Sequence, residues 1–177
     1  CMNVAILFGR KNIKSIKNKN IIKIFSKKMF MYPIDAAKKV KHITKIYVSS
    51  DSDYILNHSK QKGCIPIKRP KYLCNDKALL EEAIQHAVNY CQNLNQNKIK
   101  NFVILLCNSI CVRTKDIEKG FKILNSSKKI DTVTTVSKFN NFSPVRAKKI
   151  KGKKLLNYIP NKELKRFTPL SCDRDKS

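Results

Sequence analysis

The chain has 177 residues, a formal net charge of +26, and 42% hydrophobic residues. This length fits one domain with a buried core, which excludes a histone-like tail or a short peptide. The apolar fraction also excludes wholesale disorder, because enough apolar surface is available to offset the entropy cost of folding. A single folded domain over residues 2–177 is therefore expected.

The positive charge comes mainly from lysine, since the chain has 32 Lys and 6 Arg residues. A dense Lys field attracts polyphosphates of any kind. Proteins that read nucleic acids tend to use the planar Arg side chain, so this ratio disfavours nucleic acid as a partner. Most of the charge is interpreted as compositional bias at the surface. The rest is interpreted as a field that concentrates a triphosphate substrate.

The seven cysteines do not have the spacing of a disulfide framework or a zinc site. The chain enters its first apolar run at once, so no leader is expected. No apolar run approaches the ~20 residues of a membrane span. We therefore expect reduced thiols, a cytoplasmic location and no membrane partner.

Strand-like and helix-like segments alternate along the chain. In chain order, the pattern predicts a strand at Val4–Phe8, a helix at Pro33–Lys41, a strand at Ile46–Ser49, a helix at Tyr54–Lys62, a brief extended segment at Ile65–Ile67, a helix at Leu79–Tyr90, a strand at Phe102–Leu106, a helix at Asp116–Leu124, a strand at Thr132–Val136, and a β-hairpin or loop after Lys148. Such alternation is typical of parallel β-structure. The predicted fold class is α/β, with three layers (α/β/α) around a mostly parallel, Rossmann-like sheet.

Ligands of parallel sheets lie beyond the carboxyl ends of the strands, so the loops after Phe8, Val48 and Leu106 are candidate sites. The first of these loops, residues 9–20, carries one Arg and four Lys. A triphosphate requires several cations and exposed backbone N–H groups to neutralise its oxygens. The P-loop pattern is absent. The sequence therefore predicts triphosphate binding after the first strand by a loop of another kind.

Four blocks of sequence follow one another at a characteristic spacing. They are Gly9-Arg10 with Lys14 and Lys19-Asn20, then Val48–Ser52, then Ile67–Ala78, and finally Leu105–Arg113. In this order they resemble the motifs A-R-x-G-S-K-G-x-P-x-K-N, V-S-T-D-S, F-x-R-P-x-x-L-x-x-D-x-A and L-L-Q-P-T-S-P-L-R of the acylneuraminate cytidylyltransferase family, which includes the CMP-sialic acid synthetases. The resemblance covers most of the chain.

The resemblance implies a nucleotide-diphospho-sugar transferase-like fold and transfer of CMP from CTP to a nonulosonic, sialic-acid-like sugar, with release of pyrophosphate. It implies catalytic roles for Arg10 and Lys19. The residues that it places at the nucleotide are Arg10, Lys14, Lys19, Asn20, Asp51, Arg69, Cys107 and Asn108. It also implies Mg²⁺; the metal ligands are unknown, with Asp173 and Asp175 as candidates.

The sequence departs from the family pattern in two places. Gly9 is the only glycine in the first loop, so phosphate binding is expected to shift from backbone amides to Lys side chains. Cys107 and Asn108 stand where the family has Gln and Pro. The family continues beyond Ser177, so the domain is expected to lack its C-terminal part, and a homodimer is expected only with that part.

Three alternatives stay open. The acceptor could be a different acidic sugar or a sugar 1-phosphate. The chain could instead be an inactive or fragmentary relative that binds the nucleotide without turnover. In a third class, it could be a basic nucleic-acid-binding protein.

Overall fold

The computed structural model describes residues 2–11, 19–75, 78–95, 98–136, 148–151 and 154–157. The chain divides into two compact units, Cys1–Val133 and Thr134–Ser177. The single domain expected over residues 2–177 stays a prediction.

The first unit alternates strands and helices. In chain order its elements are β1 (Met2–Gly9), a 3₁₀ turn (Lys19–Ile21), β2 (Lys23–Ile24), β3 (Lys27–Lys28), α1 (Met31–Lys38), β4 (Ile43–Ser50), α2 (Asp53–Gln61), β5 (Ile65–Lys68), a second 3₁₀ turn (Lys71–Leu73), α3 (Leu80–Leu94), β6 (Ile99–Leu106) and α4 (Thr114–Leu124). The described part of the second unit contains an antiparallel hairpin of β7 (Lys148–Lys151) and β8 (Lys154–Asn157).

Within the described residues, the central sheet has the order β5-β4-β1-β6, and all of its neighbouring strands run parallel. The chain proceeds from β1 outward through β4 and β5, and then crosses to β6 on the other side of β1. The direction of winding therefore reverses between β1 and β6. Ligand crevices of open α/β sheets lie at such a reversal, beyond the carboxyl ends of the strands.

Helices cover both faces of this sheet. On one face, α1, α2 and α4 pack in a cluster that includes Ala5 and Leu7 of β1. On the other face, α3 packs in a cluster that includes Val4, Ile6 and Phe8 of the same strand. Alternate residues of a strand face opposite sides, so β1 supplies both cores and is apolar from Val4 to Phe8. This arrangement confirms the predicted three-layer α/β/α class.

Most predicted elements are confirmed with shifted ends, and the hairpin expected after Lys148 is present as β7 and β8. The strand predicted at Thr132–Val136 is wrong, because this segment is irregular and largely exposed. Its β-branched residues favour a strand only where a neighbouring strand and a buried face are available. Within the described residues, no helix is both long enough and apolar enough to cross a membrane.

Candidate active site

A cleft of about 270 Å³ opens at the carboxyl ends of β1 and β6, where the winding of the sheet reverses. One part of its lining is polar and consists of Arg10, Asn20, Arg69 and Asn108. The two arginines place two guanidinium groups in the cleft. The other part is mainly apolar and comes from Phe8, Gly9, Leu73, Ala78, Leu79, Leu80, Ala83, Leu106 and Cys107. Such a lining suits a ligand with an anionic part and a flat, less polar part.

The floor of the cleft is formed where β1 and β6 end side by side. The backbone N–H of Cys107 donates to the carbonyl oxygen of Phe8 at 2.9 Å. A Cβ atom on Gly9 would lie only 2.3 Å from Sγ of Cys107, so the strand ends can approach this closely only with glycine at position 9. Burial raises the pKa of the Cys107 thiol to about 12, so this group remains neutral and unreactive near pH 7.

Arg69 follows β5 and is almost fully buried, with 5% of its surface exposed. Its Nη2 donates to the carbonyl oxygen of Ser49 at 3.0 Å, and its Nε donates to the Ser49 hydroxyl at 3.3 Å. The guanidinium carbon lies 5.8 Å from the centre of the Phe8 ring. Among the described residues, no carboxylate hydrogen-bonds to Arg69. A buried cation held by neutral groups is better stabilised when an anion enters the cleft.

The two arginines of the cleft are close enough to influence each other. Burial is the largest effect on the pKa of Arg69 and lowers it, and the charge of Arg10 lowers it further, against the opposing effects of Cys74 and Asp51. Arg10 is half-buried, and its Nη1 donates to the carbonyl oxygen of Asn75 at 2.9 Å. Two guanidinium groups lining one cleft produce a positive potential that favours a polyanionic ligand.

Asn20 holds the first loop in place from the side of the 3₁₀ turn. Its side-chain Nδ2 donates to the backbone carbonyl oxygen of Arg10 at 2.8 Å, and the residue is buried.

The structure brings together five residues that the sequence analysis predicts at the nucleotide. These residues are Arg10, Asn20, Arg69, Cys107 and Asn108.

Asp51 does not line the cleft. Its carboxylate Oδ1 instead accepts a hydrogen bond of 2.7 Å from the backbone N–H of Lys11, at the start of the first loop. This contact connects the end of β4 to the segment that leaves β1. Asp51 therefore supports the loop through its backbone, and a contact between Asp51 and a nucleotide stays a prediction.

Several predicted site residues lie outside the described part of the chain, namely Lys14, Asp173 and Asp175. Lys19 begins the first 3₁₀ turn, but its side chain is also outside the described part. The described residues contain no group of three His, Cys, Asp or Glu side chains that could hold a metal ion. Mg²⁺ stays a prediction.

The sequence analysis missed most of the apolar wall. Leu79 and Leu80 reach the cleft because α3 begins beside the carboxyl end of β1, and Phe8 reaches it from β1 itself. Leu73 and Ala78 belong to the third sequence block, Ile67–Ala78. The resemblance of this block to a family motif was the one indication in the sequence that the segment borders the cleft. Asn75 lies between Leu73 and Ala78, and its backbone carbonyl accepts the hydrogen bond from Arg10, a contact that no side-chain pattern could indicate.

Comparison with known proteins identifies close sequence relatives. A model of the family described as Cytidylyltransferase matches residues 4–152. The chain is 34% identical over 148 residues to the Helicobacter pylori "Pseudaminic acid cytidylyltransferase and UDP-2,4-diacetamido-2,4,6-trideoxy-beta-L-altropyranose hydrolase", an alignment that covers 81% of this chain and 27% of that protein. It is 26% identical to the N-acylneuraminate cytidylyltransferase of Escherichia coli O18:K1:H7, over 80% of this chain and 33% of that protein.

The fold resembles that of CMP:2-keto-3-deoxy-manno-octonic acid synthetase complexed with CTP, with a TM-score of 0.59. That alignment has 15% identity and covers 72% of this chain and 48% of that chain, and it confirms the predicted fold class. The chain spans 27% and 33% of the two curated relatives named above. Because the family model matches most of the sequence, the chain belongs to the cytidylyltransferase family, as its resemblance to the acylneuraminate enzymes predicts.

Proposed function

We propose that the protein binds CTP in this cleft and transfers CMP to a nonulosonic acid, releasing pyrophosphate. The observation that carries the proposal is the pair of guanidinium groups, Arg10 and Arg69, in one cleft at the reversal of the sheet. Arg69 is buried without a carboxylate partner among the described residues, which favours an anionic ligand. The names of the two curated relatives support nonulosonic acids as the acceptor class.

In the proposed reaction, a hydroxyl oxygen of the sugar attacks the α-phosphorus of CTP in line with the leaving group. A new bond forms between that oxygen and the α-phosphorus, and the bond from the α-phosphorus to the bridging oxygen breaks. The electron pair of the broken bond leaves with pyrophosphate, and the hydroxyl proton passes to water. Negative charge develops on the leaving group, where the cation of Arg10 stabilises it.

The remaining residues orient the substrate. Arg69 and Asn108 would bind polar atoms of the nucleotide, and the apolar wall around Leu79 and Leu80 would contact the flat face of the base. Asn20 and Asp51 hold the backbone on either side of the bond between Arg10 and Lys11. Catalysis by such groups is mainly positioning and charge stabilisation. A role for Lys19 in stabilising pyrophosphate, a need for Mg²⁺, and a homodimer when the C-terminal part of the family domain is present are further parts of the proposal.

Pyrophosphate release tests the proposal directly. The 177-residue chain is incubated with CTP, Mg²⁺ and either pseudaminic acid or an N-acylneuraminate, and Arg10→Ala is compared with Arg113→Ala. Arg113 is an exposed arginine on the approach to α4 that pairs with Asp116, which makes it a matched control. We expect turnover in the unmodified chain and in Arg113→Ala, and a loss of at least tenfold in Arg10→Ala.

Isothermal titration separates the alternatives. Binding of CTP without turnover would favour a relative that binds nucleotide only. Steeply salt-dependent binding to DNA, with no response to CTP, would contradict the proposal and favour a nucleic-acid-binding protein.

A further inference from the structure

We infer that Asn75 is a positioning residue, which holds the guanidinium of Arg10 in place to receive the phosphates of the nucleotide. This inference rests on the proposed function in that it takes Arg10 as a phosphate ligand. Asn75 follows the second 3₁₀ turn, and its backbone carbonyl oxygen accepts the hydrogen bond of 2.9 Å from Nη1 of Arg10. The two residues are 65 positions apart, so this contact joins the loop after β1 to the segment after β5.

The side chain of Asn75 bonds to the backbone of residues before and after it in the chain. Its Oδ1 accepts from the backbone N–H of Ala78 at 2.9 Å, and its Nδ2 donates to the carbonyl oxygen of Tyr72 at 2.8 Å. Asn side chains commonly stabilise turns through such local bonds to the backbone. The carbonyl oxygen of Asn75 also accepts from the N–H of Ala78 at 3.3 Å, so side-chain and main-chain bonds together hold this carbonyl where Arg10 reaches it.

Arg10 lies near a second cation, the guanidinium of Arg69. The Arg10 charge lowers the pKa of Arg69, which means that the two guanidinium groups repel each other. The carbonyl dipole of Asn75 offsets part of this repulsion and restricts a long, flexible side chain. A cation that is already oriented loses less freedom when a phosphate binds, so the binding is tighter.

The same segment carries the apolar wall of the cleft. Leu73 and Ala78 lie on either side of Asn75 and both line the cleft. Asn75 itself is not part of this lining. Asn75 contributes to phosphate binding through Arg10.

Ligand titrations of the 177-residue chain test this role, with CTP, inorganic tripolyphosphate and cytidine as probes. Asn75→Ala keeps the backbone carbonyl but loses both side-chain bonds, and we expect the Kd for CTP and for tripolyphosphate to rise about three- to tenfold. The Kd for cytidine, which has no phosphate, should stay within twofold. Asn75→Ser retains an acceptor for the N–H of Ala78 and should restore part of the affinity.

Two further variants show whether the effect passes through Arg10. In an Arg10→Ala background, Asn75→Ala should cause no additional loss of CTP affinity, because the cation that it positions is absent. Asn89→Ala removes an exposed asparagine of α3 whose Oδ1 accepts a hydrogen bond from Gln85, and it should leave every Kd unchanged.

The outcomes distinguish this inference from the proposed function. Equal loss of cytidine and CTP binding in Asn75→Ala, or additive losses in the double variant, would overturn the positioning role and leave CTP binding intact. Unchanged CTP and tripolyphosphate affinities in Asn75→Ala would overturn it as well. Conversely, the unmodified chain could bind tripolyphosphate as tightly as CTP, which would mean that the proposed cytidylyl substrate is wrong. In that case, loss of tripolyphosphate affinity in Asn75→Ala would still support the role of Asn75.

Discussion

The carbonyl oxygen of Ser49, the penultimate residue of β4, accepts a hydrogen bond of 3.0 Å from Nη2 of Arg69. The Ser49 hydroxyl accepts a second bond, from Nε, at 3.3 Å. Both acceptors are neutral, so they orient the guanidinium without neutralising its charge. The charge is therefore available to a ligand, and its burial is unfavourable for folding until a ligand arrives.

Replacing Arg69 with methionine should separate ligand binding from stability. In Arg69→Met, the Kd for CTP should rise at least tenfold, because a charge-assisted hydrogen bond to the nucleotide is lost. The melting temperature should be unchanged or higher, because an apolar side chain of similar length avoids burying a cation. Isothermal titration and thermal unfolding measure the two effects.

Arg113→Met is the matched control for Arg69→Met. Arg113 is exposed and its Nε lies 2.9 Å from Oδ2 of Asp116, so its loss should leave the CTP affinity unchanged. A large fall in melting temperature for Arg69→Met, with CTP affinity close to that of the unmodified chain, would show that Arg69 is a structural residue.

The close approach of Gly9 and Cys107 predicts a strong steric coupling. Gly9→Ala would place its Cβ 2.3 Å from Sγ of Cys107, and we expect the free energy of unfolding to fall by about 1–3 kcal/mol. Adding Cys107→Ala to Gly9→Ala removes the sulfur and should recover most of this loss. The remaining contact with the Cys107 Cβ would be 3.2 Å, which requires a smaller adjustment. Urea unfolding of the single and double variants measures the coupling.

Gly120 provides the control for this substitution. It lies within α4, and a Cβ there would meet no atom within 4 Å. Gly120→Ala should therefore raise the free energy of unfolding, by about 0.5–1 kcal/mol. Equal losses in Gly9→Ala with and without Cys107→Ala would contradict the steric explanation.

The sequence predicts those parts of the fold that depend on local pattern. The apolar run Val4–Phe8 indicates a strand buried on both faces, and the structure confirms it within β1. The strand predicted at Thr132–Val136 is wrong because, within the described residues, no strand pairs with this segment, and strand propensity alone is too weak to form one. The order of the strands and the packing of α3 over the cleft depend on contacts between distant segments, which the periodicity does not contain.

The polar wall of the cleft was predictable for a related reason. The carboxyl ends of parallel strands meet at one edge of the sheet, so residues of the loops after Phe8 and Leu106, such as Arg10 and Asn108, are brought together. Arg69 was expected there only from the family resemblance of the third sequence block. The bond from Arg10 to the Asn75 carbonyl was not predictable, because any residue type has a backbone carbonyl. The position of Asp51 outside the cleft was not predictable either, because its carboxylate accepts a hydrogen bond from the backbone N–H of Lys11, a contact that no sequence motif indicates.

The hairpin of β2 and β3 contains a turn that its sequence does not favour. Phe25 and Ser26 form the two-residue loop, with φ values of 47° and 67°. Positive φ at both positions is the geometry of a type I′ turn, for which Asn-Gly is the preferred pair. Phe25 is 95% exposed, so its side chain contributes little packing. Phe25→Asn combined with Ser26→Gly should raise the free energy of unfolding by about 1 kcal/mol, measured in urea.

A second pair of substitutions tests the backbone explanation for this turn. Phe25→Ala combined with Ser26→Ala removes the same side chains but keeps Cβ atoms at both positive-φ positions, so the stability should change little. If the alanine pair stabilises the chain as much as the Asn-Gly pair does, the exposed aromatic ring, and not backbone strain, is the cause.

Cys91 predicts a specific loss of stability at alkaline pH. Its side chain on α3 is fully buried against the sheet, and burial raises its pKa from 9.0 to about 12. Below pH 9 the thiol is protonated in both states and its contribution is complete. As the pH rises from 9 toward 12, the unfolded chain releases the proton while the folded chain retains it, so the folded state loses stability.

The slope of melting temperature against pH, between about pH 8.5 and 10.5, measures this linkage. Cys91→Ala should have a shallower slope than the unmodified chain, although a small cavity lowers its stability at every pH by about 1 kcal/mol. Lysines titrate alike in both proteins, so the difference between the two slopes isolates the thiol. Cys111→Ala removes an exposed thiol and should keep the slope of the unmodified chain. Parallel slopes for Cys91→Ala and the unmodified chain would mean that the buried thiol does not contribute to alkaline unfolding.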